Sequence, residues 1–244
     1  MHPSAEAVGL APALALGLLA AGRGHGRSRP RVVAGALGVA LVAAAFGSEL
    51  EPLANTTFLW AHLLQNVVLA EWVPALLLLA VPSAVAARWA GFPLFRPLVA
   101  LPLWLVTYYV WHLPWLYDLA LRHSHSLLHL EHLSYLAAGT CLWYPVVHGR
   151  RSSGAKAAYL FSAFVLASPL GLLLALIPRA IYSFYVHAPR TWGPNPVTDQ
   201  QIAGVTMAAE EALVFFAVFA VYLLRFLAEE QAAGLVGHPH ARRS

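Results

Sequence analysis

Residues 157–177 read AAYLFSAFVLASPLGLLLALI, a run without one charged side chain. A helix rises about 1.5 Å per residue, so about 20 apolar residues cover the roughly 30 Å of hydrocarbon in a bilayer. Working outward from this run, six more lie near 5–22, 31–47, 57–81, 97–113, 126–147 and 201–224. The composition agrees. Of 244 residues, 59% are hydrophobic and 11% charged, whereas a soluble domain carries about 25% charged residues. Lipid-facing helices can display that much apolar surface, and a water-soluble fold cannot hide it.

The loops give an orientation. Arg23, Arg27, Arg29 and Arg31 lie between the first two runs, Arg88 and Arg96 between the third and fourth, and Arg150, Arg151 and Lys156 between the fifth and sixth. Arg225, Arg242 and Arg243 follow the seventh, so twelve of the 15 basic residues fall on one side. Only Arg122, Arg179 and Arg190 fall on the other. Positive loops stay inside. The expected fold is therefore all-α, a polytopic transmembrane helix bundle of about seven spans, N-terminus outside and C-terminus cytoplasmic. Residues 1–230 form one domain, and 231–244 read as a disordered cytoplasmic tail. The start, Met1 to Glu6, has no basic segment, so the first run reads as a retained span rather than a cleaved signal.

Several functions are excluded. The net charge of +4 comes from clusters that flank apolar runs, which argues against nucleic acid as a partner. Cys141 is the single cysteine, so neither an intramolecular disulfide nor a Cys-x-x-Cys metal site can form. Lys156 is the single lysine and lies in a loop, which excludes a retinal Schiff base within the bundle. No phosphate-cradling glycine loop and no nucleophile with an adjacent base is present, so the chain is not expected to be an enzyme.

The histidines are unevenly placed. His112, His123, His125, His129 and His132 fall within 21 residues, around the outer ends of spans four and five. His125, His129 and His132 follow i, i+4, i+7 spacing and share a helix face. His62 and Asn66 share a face of span three, and His187 lies in the long outer loop. Imidazole suits copper, zinc and iron, so a cluster on facing helices points to a metal or cofactor site. Single histidines at headgroup depth are more simply wet or hydrogen-bonded residues.

Acids inside spans are costly and invite a function. Glu71 lies in span three, Glu131 between His129 and His132, and Glu210 and Glu211 in span seven. The side chain of Glu131 should point away from the two histidines. Gln200, Gly204, Met207 and Glu211 form one stripe, and Thr198-Asp199-Gln200-Gln201 fits a capping box for the same helix. Capping is the plain reading of Asp199, and interhelical hydrogen bonding is that of the glutamates.

Taken together, the motifs resemble the multi-spanning CtaG family of cytochrome c oxidase assembly factors. The resemblance rests on His62-Leu63-Leu64-Gln65-Asn66, then Trp111-His112-Leu113-Pro114, Tyr117-Asp118, His129-Leu130-Glu131-His132 and Trp143-Tyr144-Pro145, then Asp199-Gln200-Gln201-Ile202-Ala203-Gly204 with Met207. It implies a bacterial inner-membrane protein that helps copper reach a haem–copper oxidase. The implied partners are oxidase subunits and membrane lipids, with a homo-oligomer left open. It carries over His62, His112, His129 and His132 as candidate ligands, beside His125 from spacing. Asn66, Asp118, Glu131, Asp199, Gln200 and Glu211 are the candidate supporting or proton-linked residues. This chain departs from the family pattern at Asn66, where a second histidine is expected, and at the paired acids Glu210-Glu211. Copper held transiently by imidazoles is the expected cargo. The alternatives are haem b with bis-histidine ligation, or a non-catalytic scaffold or transporter.

Overall fold

A computed structural model describes residues 4, 6–26, 28–123 and 125–236, without the side chains of His123, His125 and 234–236. Every regular element among the described residues is helical. The longer helices are α1 (Glu6–Ala21), α2 (Arg29–Gly47), α4 (Leu59–Ala80), α5 (Pro97–Trp111), α7 (His125–Val147), α8 (Ser153–Leu176) and α9 (Pro196–Val236). Two shorter ones, α3 (Leu50–Thr56) and α6 (Pro114–His123), link them at one end of the bundle. Each of the seven expected runs coincides with one of the longer helices. By length and composition α2, α4, α8 and α9 can cross a membrane, whereas α1 and α5 are apolar but shorter.

Proline sets several boundaries. Pro114 has no N–H to continue α5 and biases Leu113 away from helix, so the chain stops at Trp111 and restarts with Pro114 as the first residue of α6. This break folds α6 back over the bundle end and buries Tyr117. In α4 the turn Val68–Trp72 is π-helical and Pro74 follows it. A π-turn inserts one residue into the helical ladder, often at a functional position. Pro74 cannot donate to the Ala70 carbonyl, which instead lies against Gly139 of α7, where any Cβ would collide with it. That glycine lets α4 and α7 approach backbone to backbone.

The most extensive packing is between α8 and α9. A Cβ on Gly171 would lie 3.1 Å from the Gly204 carbonyl, so the two glycines mark the crossing point. Small residues drive such close crossings in membranes, where burial of apolar surface gives no advantage over lipid.

One helix extends beyond its expected span. Span seven is expected at 201–224, but α9 runs 41 residues, about 60 Å at the helical rise and twice the hydrocarbon thickness. Arg225, Glu229 and Glu230 do not stop it, because the Leu, Ala, Glu and Gln around them are strong helix formers. Residues 231–236 of the expected tail are helical, and 237–244 lie outside the described residues.

Candidate functional site

The histidines converge at the end of the bundle where α4, α7 and α9 begin and α5 ends. Its centre is Glu131 on α7, which is fully buried. Asn66 Nδ2 donates to Glu131 Oε1 at 2.8 Å, and His62 Nε2 lies 3.6 Å from the same oxygen. His62 and Asn66 are one turn apart on α4, so both reach the carboxylate as their shared face requires.

A second carboxylate was not anticipated. Glu6, at the start of α1 and 6% exposed, accepts from His129 Nδ1 at 2.6 Å and from His132 Nδ1 at 2.8 Å. One ligand atom from each of Glu6, His129 and His132 lies within 4.8 Å of the others, a spacing that could hold a metal ion. The His129 side chain is 40% exposed and that of His132 is 1% exposed, so the triad runs from the surface to the interior. The aromatic rings continue inward. His132 and His62 have centroids 6.0 Å apart, His62 and Tyr117 5.0 Å, and Tyr117 and His112 6.1 Å.

The buried histidines share one hydrogen-bonding pattern. His132 Nδ1 meets the Glu6 carboxylate. His112 Nδ1 meets the Tyr108 carbonyl at 2.7 Å. His62 Nδ1 meets Tyr185 Oη at 3.0 Å, and that hydroxyl donates its own proton to the Ala54 carbonyl. His112 Nδ1 also lies 3.3 Å from Tyr135 Oη, but its closer partner, the Tyr108 carbonyl, can only accept, as do the Glu6 carboxylate and the Tyr185 oxygen, so each Nδ1 carries the proton and each Nε2 presents a lone pair. All three Nε2 atoms are buried without a hydrogen-bond partner. Metal-binding histidines are oriented in this way, with the second ring nitrogen donating to an oxygen. Glu131 Oε2, Asn66 Oδ1 and Tyr117 Oη are likewise buried and unpartnered. Six orphaned polar atoms in one region are far more than a finished core tolerates.

Further along the bundle lies a different polar cluster. Glu71 on α4 faces Glu210 and Glu211 on α9, and all three are buried. Trp72 Nε1 donates to Glu210, and Tyr108 Oη donates to Glu211. None of the ion pairs among the described residues includes these acids.

Other candidates have structural partners. Asp199 does not cap its own helix as the capping box predicts. Asn195 Oδ1 does so, accepting from Val197 and Thr198 N–H at 3.0 Å. Asp199 instead accepts from the N–H groups of Leu59 and Trp60, which begin α4, at 2.9 and 3.1 Å, and pairs with Arg190 at 2.8 Å. Sequence spacing cannot reveal a cap supplied from 140 residues away. Asp118 holds the start of the short helix Ser183–Val186 through the N–H groups of Ser183 and Phe184. Gln200 ties down the preceding loop at Ile181 N–H and the Arg179 carbonyl. Outside the membrane runs, burial pushes the Glu51 carboxyl above the usual carboxylate range, while a hydrogen bond from Gln65 pulls against it. The side chain of His125 lies outside the described residues. Glu6 was missed because it sits in no motif, though an acid at the edge of a charge-free run was a usable signal. Tyr117, read as a motif residue, and Tyr185 are both buried beside His62.

A family model described as cytochrome c oxidase caa3 assembly factor matches residues 13–229. No curated protein and no solved structure matches the chain. The family match spans His62, His112, Glu131 and His132 together with Met207, and it leaves out Glu6. By this match over most of its length, the chain belongs to the cytochrome c oxidase caa3 assembly factor family, a family of membrane proteins.

Proposed function

We propose that this protein is a multi-pass inner-membrane assembly factor with seven spans that takes up copper at its outer face and helps deliver it to a haem–copper oxidase. Loop charge supports the orientation, since the end that carries the histidines is the end poor in basic residues. The observation that carries the reading is the convergence of Glu6, His129 and His132, with two further buried imidazoles, His62 and His112, whose Nε2 atoms have no partner. Two imidazoles and a carboxylate make a borderline-to-hard donor set that suits Cu(II). The exposed His129 ring provides access. Asn66 donates to Glu131 rather than serving as a ligand, and Glu6 supplies a donor that the family motif does not.

Metal analysis and an optical spectrum of the detergent-purified chain test this reading. One bound Cu(II) is expected. His129→Ala and His132→Ala should each weaken it at least tenfold, about the least effect expected for loss of a ligand. Unchanged copper content in both variants sinks the proposal. A Soret band would replace it with haem ligation.

A further inference from the structure

Beyond the triad, a small cavity lies between α4, α5, α7 and α9. It offers about 10 Å³ to the centre of a water-sized body, and its walls include Asn66, His112, Tyr135 and Met207. About one such sphere is the minimum that holds a water or an ion of similar size. Met207 is 1% exposed, and Met1 is the other methionine in the chain. Buried methionine usually fills irregular gaps. Here the gap persists beside it. Two other walls also lack partners, since His112 Nε2 and Asn66 Oδ1 are buried and unbonded. The tautomer of His112 is fixed by the Tyr108 carbonyl, so Nε2 offers a lone pair and not a proton.

We propose that this cavity is a second metal site, which takes a soft monovalent cation, Cu(I), through His112 Nε2 and Met207 Sδ. The inference rests on the copper-handling reading above and deepens it. Thioether and imidazole together select Cu(I) over harder ions. A single positive charge is also the smaller burden in a pocket whose other walls are Leu63, Val67, Ala70 and Tyr108. The ladder of rings from His132 through His62 and Tyr117 to His112 joins this cavity to the exposed triad in steps of about 6 Å or less. The competing occupant is one water, which could donate to both His112 Nε2 and Asn66 Oδ1.

The test uses the full chain in detergent, loaded with Cu(I) under anaerobic reducing conditions. X-ray absorption at the copper edge should show one sulfur neighbour. Because Cys141 is also a sulfur source, the protein is also prepared with selenomethionine, and absorption at the selenium edge should show a copper neighbour. Met207→Leu, which nearly conserves volume, should lose one equivalent of Cu(I) while the Cu(II) paramagnetic resonance signal of the triad stays as in the wild type. Absence of any selenium–copper scattering overturns the proposal, and this measurement needs no variant to fold. Full retention of Cu(I) by Met207→Leu also overturns it. If Cu(II) binds the triad normally in either case, only this inner site fails. If neither oxidation state binds, the copper-handling reading fails with it.

Discussion

The bundle buries two polar clusters about five residues apart along α4, and their chemistry is opposite. Around Glu131 stand the Asn66 amide and the His62 imidazole, and the His62 and His112 rings are each bonded at Nδ1 with no hydrogen-bond partner at Nε2. Around Glu71 the partners are two more carboxyls, with single donors from Trp72 and Tyr108. The first cluster sets lone pairs of imidazoles beside two carboxylates, Glu131 and Glu6. In the copper-handling reading a cation completes it. The second consists of like groups, whose charges cannot coexist in an apolar interior without neutralisation. Protons would complete it at no cost in geometry. Burial alone therefore does not mark the proposed metal site. What marks it is the fixed direction of the unpaired donors.

The contrast can be broken at several points. The largest effect is expected at Asp199, which holds the start of α4 and hence His62. Asp199→Ala removes two backbone caps and leaves Arg190 unpaired. Loss of one partner from a buried pair costs about 3–5 kcal/mol. Thermal unfolding in detergent should show that loss, and a variant as stable as the wild type would mean that the loop, not Asp199, holds α4. Next comes Glu131→Gln, which keeps shape but removes charge. It should weaken metal binding by about 10–100-fold, the range for residues that orient ligands. Competition titration measures this, and unchanged affinity would show that the histidines do not depend on Glu131. Chelation should then lower the unfolding midpoint of the metal-loaded wild type. Ligand at 100 times its dissociation constant contributes about 2.7 kcal/mol. The midpoint of His132→Ala should not respond.

The all-helical fold was legible because each charge-poor apolar run of helical length became one of the longer helices. The stripe of Gln200, Gly204, Met207 and Glu211 was legible for the same reason, since helical spacing alone puts them on one face and all four are buried. Spacing also put His129 with His132 and His62 with Asn66. It could not say what each pair meets. Glu6 reaches His129 across 123 residues and Asp199 reaches Leu59 across 140, and such contacts leave no local pattern. The length of α9 was not legible for a local reason, because charges that end a membrane span need not end a helix.

The smallest effect is expected from Glu71→Gln, and it tests the contrast from its other side. If the acid cluster is neutralised by protons, glutamine replaces a neutral carboxyl with a neutral amide of nearly the same shape. Stability should then change by no more than about 1 kcal/mol, the scale of one exchanged hydrogen bond. Copper content should not change, because no histidine is among the partners of Glu71. A cation held between Glu71, Glu210 and Glu211 gives a different result. Removal of one of its charges would then lower both the unfolding midpoint and the metal content. That outcome would make the acid cluster a binding site in its own right, and the bundle would hold cations along its length rather than at the histidine end alone.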